Sequence, residues 1–563
     1  MGTKSTILAT ILIFGSLACS TLPGSNGHRA DGPILEATPP ASPPTLPQAI
    51  TSGSNIRVNQ DASGEDQNET AVAVSPTNPL NLVAAARDRR NGIERNGFYS
   101  SLDGGATWTD GVLTEGTYTY QSDPVVAACA DGSFVYASLS FNSGGSGGVF
   151  AYRSTDGGRT WPQKSTVVTA TSIDKEWIAC DATASSPYAN RIYVGYRDIS
   201  GAYFIRVKRS TDGGVTWSTP VIVPDVSLRV MNGIALATGP AGQLYAAWFD
   251  FTTKQVKFDV STDGGATFGT DKVLAEVIPV PEFPHLSRPN SLPAIAVDLS
   301  GGPYHGYVYV LWTGYQNGDC DVRFRRSADG GATWTPLAFV NDNAVGNGSD
   351  EFFPGVTVDP LGRVIVTFHS TRRAPGTDHY ELWGAISRDG GQTFDTNFLI
   401  SDAVSNPPDG RFLGDYAGVA ATADRLYPVW ADARAPTGEL DLYVDRYANA
   451  FRYDEVDNLL FSDHETATFD TQDARFAQDV DYDVVSGLLS ELRADAGFAR
   501  AACLIDDLDA PPIVDTREPA PGDGFWYLVR ADGPNGVGTF GDALPHARPN
   551  VRDSLDESVP TCP

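Results

Sequence analysis

Short apolar runs recur in pairs through the middle of the chain, each pair split by a polar turn. "DPVVAACA" and "FVYASLSF" flank Asp131-Gly132. "DKEWIACD" with "RIYVGYRD", "NGIALAT" with "QLYAAWFD", "LPAIAVD" with "YVYVLWTG" and "FPGVTVD" with "RVIVTFHS" repeat the arrangement. Runs of this length, rich in β-branched and aromatic residues and bounded by turn signals, predict strands. The first run of each pair is small and apolar, as a crowded innermost strand requires; it is termed strand A and its partner strand B. A third run, such as "VFAYRS" or "YFIRVKRS", is strand C. It leads into a turn, and strand D leaves that turn.

The turn is a repeated motif, S-x-D-G-G-x-T-(W/F), starting at Ser101, Ser154, Ser210, Ser261, Ser327 and Ser387. Glycine reaches positive φ without steric cost, and Asp bonds backbone amides just downstream. Each copy therefore predicts a hairpin turn in which the carboxylate holds turn amides and the Ser or Thr hydroxyl. The terminal aromatic ring is expected to act as a packing wedge. A supersecondary unit repeated about every fifty residues predicts four-stranded propeller blades. "ETAVAV" with "NLVAAARD" precedes the first turn, and "GDYAGVAA" with "LYPVWADAR" and "LDLYVDRYA" follows the last. That makes seven units, the last without an outer strand. "IRVNQDASGEDQNETAVAV" parallels "AFVNDNAVGNGSDEFFPGV", so Ile56–Asn59 is expected to complete blade 7 and close the ring. The expectation is an all-β, seven-bladed propeller over residues 54–450, with six blades as the alternative.

The two ends differ. Residues 1–18 read as a signal peptide, with Lys4 before the apolar "ILATILIFGSLA". "SLAC" resembles a bacterial lipoprotein cleavage box, which implies lipid attachment at Cys19; plain secretion is the alternative. The chain is thus expected to be exported, to the cell envelope or beyond it. Residues 19–53 read as a Pro-rich tether. Residues 451–563 lose the repeat, and "DYDVVSG" and "GFWYLVRA" predict strands of a small β-sandwich. That segment resembles fibronectin type III-like modules.

The formal charge is −29, from 69 acidic and 40 basic residues, which repels nucleic acid and anionic lipid. A membrane is reached only through the N-terminal lipid. Six cysteines are too few for a disulfide scaffold. Cys503 and Cys562 are expected to pair. Cys129 and Cys180 follow Asp123 and Asp174 by six residues. On equivalent strands they point the same way round the ring and need not face each other. Cys320 reads as solitary, and no Cys-His spacing suggests zinc.

The turn motif matches the Asp box of bacterial neuraminidase repeats, so residues 54–450 resemble the sialidase-like propellers. In the enzymes of that superfamily three arginines clamp a substrate carboxylate, a Tyr activated by a Glu is the nucleophile, and an Asp is the acid/base. Here "ETAVAV" lacks the Arg-Ile-Pro of the first inner strand, while "VAAARD" places Arg87 at the second position. The following loop offers Asp88 and Glu94.

Starts of strand A and ends of strand B share one face, opposite the Asp boxes. The first group is Glu69, Asp123, Asp174, Glu176, Asp350, Glu351, Asp415 and Tyr416. The second is Arg87, Asp88, Arg197, Asp198, Asp250, His369, Arg372, Asp432 and Arg434. Converging charges of both signs suit a polar ligand at the axial mouth. Arg87, Arg197 and Arg372 or Arg434 are candidates for a carboxylate clamp. Tyr416 beside Asp415 is the candidate nucleophile, with Glu351 as its base and Asp88 or Asp123 as the acid. Trp177, Trp312 and Phe352 are candidate binding aromatics. The reading favoured is binding of a polar glycan or a surface protein, and the alternative is an exo-glycosidase of sialidase type. Beyond calcium, for which the surplus carboxylates offer oxygen ligands, no cofactor is implied.

Overall fold

The computed structural model describes residues 54–447, except 144–145, 171, 200–203, 227–228, 279, 281–285, 288–289, 317, 409 and 436, and strands within 460–532. The described residues contain strands and turns and no helix. The leader, Cys19, the tether and Cys562 lie outside them. Seven four-stranded antiparallel sheets follow one another in the order A-B-C-D. Their innermost strands are Gln67–Ser75, Tyr120–Ala128, Ile173–Cys180, Met231–Thr238, Ala294–Val297, Glu351–Val358 and Gly418–Ala421.

Blade 7 takes its outer strand from the other end of the chain. Ile56 pairs with Val444 and Arg57 with Tyr443, and the contact continues as Val58 N donates to Leu442 O at 2.7 Å. Asn59 fastens the seam: its Oδ1 accepts from Leu442 N and its Nδ2 donates to Asp441, both at 2.9 Å. Val58 is fully buried between Leu442, Val444 and the inner strands of blade 1.

The six Asp boxes are built alike. In the first, Asp103 accepts from Ser101 Oγ at 2.8 Å, Thr107 N at 2.9 Å and Thr107 Oγ1 at 2.6 Å, while Ser101 Oγ accepts from Gly105 N. Gly104 and Gly105 both adopt left-handed backbone, which a side chain would strain. Trp108 is buried and donates to Gly105 O. The motif is thus a structural turn. Its carboxylate is fully used within the turn.

Apolar faces of neighbouring blades form the core. One face of blade 2 (Val125, Ala137, Val149) meets blade 3 (Ile178, Ile192, Val194). Within that layer Cys129 and Cys180 form a disulfide, with Cα atoms 5.1 Å apart. This corrects the expectation that they need not face each other. Strand A carries a bulge in both blades, between Ser122 and Val125 and between Asp174 and Trp177. Aligning the bulges sets Asp123 against Lys175, not Asp174. Cys129 then lies one position out of step with Cys180, and successive strand residues point to opposite faces. Each thiol therefore turns toward the other blade. Cys320 is free and buried.

Beyond the propeller, Asp481–Leu488 lies between Ala502–Leu508 and Phe525–Asp532 in one sheet. Leu460–Phe461, Thr466–Thr468 and Ile513–Val514 form another. The packing of these sheets and the pairing of Cys503 lie outside the described residues.

Candidate functional site

The bulge of strand A is the device that fills the axial mouth. It recurs in blades 1, 2, 3, 4 and 6, each time with one residue in left-handed backbone: Glu69, Asp123, Lys175, Gly233 and Phe353. A left-handed residue other than Gly, Asn or Asp is unusual and persists only where the surroundings hold it. Here the equivalent position of three successive blades carries Glu, Asp and Lys.

These side chains meet. Glu69 Oε2 accepts from Ser122 Oγ and Asp123 N, both at 3.0 Å, so blade 1 grips the bulge of blade 2. Carboxylate oxygens of Glu69, Asp123 and Asp415, all buried, lie within 4.8 Å of one another. Blade 7 supplies Asp415 and Tyr416 from the turn before its inner strand. Gly414 packs so closely on Glu69 that a Cβ there would stand 2.6 Å from the Glu69 amide.

Tyr416 reaches across the ring. Its hydroxyl donates to Pro124 O of blade 2 at 3.0 Å, and its ring packs edge-on against Trp177 of blade 3 at 5.8 Å. Lys175 Nζ stands 3.2 Å from the centroid of that ring. Blades 3 and 7 are not neighbours, so this contact spans the axis. Asn290, ahead of blade 5, crosses likewise and donates to Asp415 O and Oδ1 at 3.2 Å.

The electrostatics follow from this crowding. Burial and the adjacent Glu69 carboxylate push the Asp123 carboxyl well above the usual range, against the pull of Lys175. Burial and Asp123 do the same to Glu176. Glu176 is fully buried, and neither of its carboxylate oxygens accepts a hydrogen bond from another residue. Burial, then Glu69, Asp123 and Glu176, hold the Tyr416 phenol well above its ordinary value.

The pit thus gathers Glu69, Asp123, Glu176, Asp415 and Tyr416 from the candidates named in the sequence. Asp174 sits at its rim, accepting from Arg197 at 3.2 Å and from Asn232 of blade 4 at 3.1 Å. Arg87 stacks on Phe412 with its guanidinium 5.0 Å from the ring centroid and lies 3.8 Å from Glu94.

The other candidates sit elsewhere. Asp88 is buried behind the mouth, bound by Arg90 and by Tyr99 Oη at 2.6 Å. Glu351 accepts from Ser370 and Asn343, with Arg372 3.7 Å away, and is not among the groups around Tyr416. Arg372 bonds Asp342 and Asn397 and stacks on Trp383; Arg434 bonds Asp402, Asp432 and Asn55. Both guanidinium groups are engaged by acids and amides of their surroundings. His369 is buried beside Phe352 and held at about 3 by that burial, so it is neutral. Trp312 and Phe352 are core residues, which leaves Trp177 as the partly open aromatic. Lys175, Asn232 and Asn290 were not singled out in the sequence. Lys175 becomes visible only when "QNETA", "QSDPV" and "IDKEW" are aligned on the bulge.

A concavity of about 360 Å³ lies on the opposite face between blades 2 and 3, lined by Asp131, Arg153, Tyr188, Arg191 and Asp212. Asp131 and Arg153 pair there at 2.6 Å.

Residues 45–277 match the family model described as a BNR repeat-like domain. Four of the six Asp boxes lie within the matched residues. No curated protein matches the chain. Among solved structures, a protein of unknown function from Dyadobacter fermentans is 17% identical, with a TM-score of 0.40 over 60% of this chain and 98% of its own. The intramolecular trans-sialidase of Ruminococcus gnavus is 13% identical, with a TM-score of 0.42 over 57% of this chain and 94% of its own. The α-L-arabinofuranosidase of Fusarium graminearum is 12% identical, with a TM-score of 0.40 over 60% and 97%. At such values these likenesses carry no argument about activity.

Proposed function

We propose that the axial pit binds an uncharged, hydroxyl-rich glycan. The observation that supports this reading is the convergence of four buried acids and Tyr416 across the ring, with unbonded oxygens on Glu176. Carboxylates accept hydrogen bonds from sugar hydroxyls, and charge-assisted bonds of this kind are the strong ones. Trp177 and Tyr416 supply ring surface for the apolar face of a sugar. A sialic acid would bring its own carboxylate into a pit where acids outnumber bases. Arg372 and Arg434 pair with Asp342, Asp402 and Asp432, which supports a ligand other than a carboxylate.

The exo-glycosidase reading keeps one point in its favour. Asp123, with its raised carboxyl, shares the pit with Tyr416 and suits a proton donor. Against it, the phenol hydroxyl is given to Pro124 O and is held far from ionisation. Export through the N-terminal leader, with Cys19 as the lipid site, is part of the same proposal and accounts for an extracellular ligand. A glycan microarray on the full chain, followed by hydrolysis assays on each bound glycan, tests the reading: bound neutral glycans support it, and an empty array sinks it.

A further inference from the structure

The four acids of the pit raise a question of charge that a glycan does not answer. Oxygens of Glu69, Asp123 and Asp415 lie within 4.8 Å of one another. Two oxygens bound to one calcium ion at about 2.4 Å each stand at most about 4.8 Å apart. Lys175 forms no hydrogen bond with Glu69 or Asp123; its ammonium lies over the Tyr416 ring. The independent observation is Glu176. It is 0% exposed, carries two oxygens without a hydrogen-bond donor from another residue, and belongs to the same group of acids around Tyr416. A buried carboxylate is ordinarily hydrogen-bonded, paired or bound to metal.

We propose that the pit is a calcium-class cation site, with Glu69, Asp123 and Asp415 as its ligands and the unbonded Glu176 carboxylate beside them. The donor set decides the class. It is all oxygen, without His or Cys, which disfavours zinc and copper. Three carboxylates drawn from separate blades suit the larger, adaptable shell that Ca²⁺ accepts, whereas Mg²⁺ demands a small octahedron and keeps its water. The inference does not rest on glycan binding.

The test uses the full chain, freed of metal by chelation. Calorimetric titration with Ca²⁺ should show a binding event of one ion per pit and raise the melting temperature, with Mg²⁺ at least tenfold weaker. Tb³⁺ should bind and be sensitised by Trp177. Asp415→Asn and Asp123→Asn should each weaken Ca²⁺ at least tenfold, while Glu351→Gln, a buried acid elsewhere, should not. Both pit variants should melt no lower than the metal-free wild type, because an uncharged amide relieves the crowding of acids around Asp123. If the wild type shows no calcium heat and no shift, or if the pit variants bind as the wild type does, the proposal is overturned. Equal binding of Mg²⁺ overturns the calcium class.

Discussion

Lys175 and Tyr416, from blades that are not neighbours, meet with the ammonium 3.2 Å from the centroid of the phenol ring. Both are buried or nearly so, and a desolvated cation–π contact contributes about 2 kcal/mol. The pair bridges the ring beside the acids Glu69, Asp123 and Asp415. Tyr416→Phe keeps the ring and loses only the bond to Pro124 O, so it should cost about 1 kcal/mol. Tyr416→Leu loses the cation contact and the Trp177 edge, and should cost at least about 1 kcal/mol more than Phe. Denaturant unfolding of the two variants checks this; equal losses would show that the ring contact contributes nothing.

Ring closure rests on residues far apart in sequence. Val58 is fully buried, and Asn59 satisfies the Leu442 amide and Asp441. Val58→Ala should destabilise the whole propeller by about 1–3 kcal/mol, since the seam joins the first and last blades. Deleting residues 54–60 should lower the melting temperature of the entire ring in a single transition. An unchanged melt of the deletion would refute closure as a global element.

The Cys129–Cys180 bridge ties the inner strands of blades 2 and 3. Cross-links over loops of this size contribute about 2–4 kcal/mol. The double substitution to Ser should cost that much under oxidising conditions, and a reductant should bring the wild type to the same stability. Stability of the wild type indifferent to reductant would count against the pairing.

Burial pushes the Glu351 carboxyl up to about 8, against the pull of Arg372, Ser370 and Asn343. The folded protein therefore favours the protonated acid. That contribution is whole below the ordinary glutamate value of 4.5 and is lost as pH rises through about 8. Glu351→Gln stays neutral, so it should match the wild type at pH about 4 and exceed it by on the order of 1–3 kcal/mol above pH about 8. Denaturant melts across that range decide; parallel curves for the two proteins would contradict the burial argument.

The blades were legible in the sequence because their signals are local. Asp boxes, paired apolar runs and the echo between "IRVNQ" and "AFVND" each report strands and turns within a few residues. The mouth was legible only as a list of strand ends. Glu69, Asp123, Glu176, Asp415 and Tyr416 do converge, but Asp88, Glu351, Arg372 and Arg434 stand at equivalent strand ends and turn into their own blades. Which way a strand-end side chain turns depends on the bulge, and a bulge is set by pairing with strand B rather than by local composition. The same offset hid the Cys129–Cys180 bridge and the equivalence of Lys175 with Glu69 and Asp123.

A paired assay tests most directly whether the axial mouth takes a neutral sugar. The full chain is applied to a glycan microarray and, in parallel, to the methylumbelliferyl conjugate of sialic acid. The account predicts binding to neutral glycans, at least tenfold weaker for Glu176→Gln, and no release of methylumbelliferone. Robust release by the wild type, abolished by Arg87→Ala, would contradict it and make the chain a sialidase.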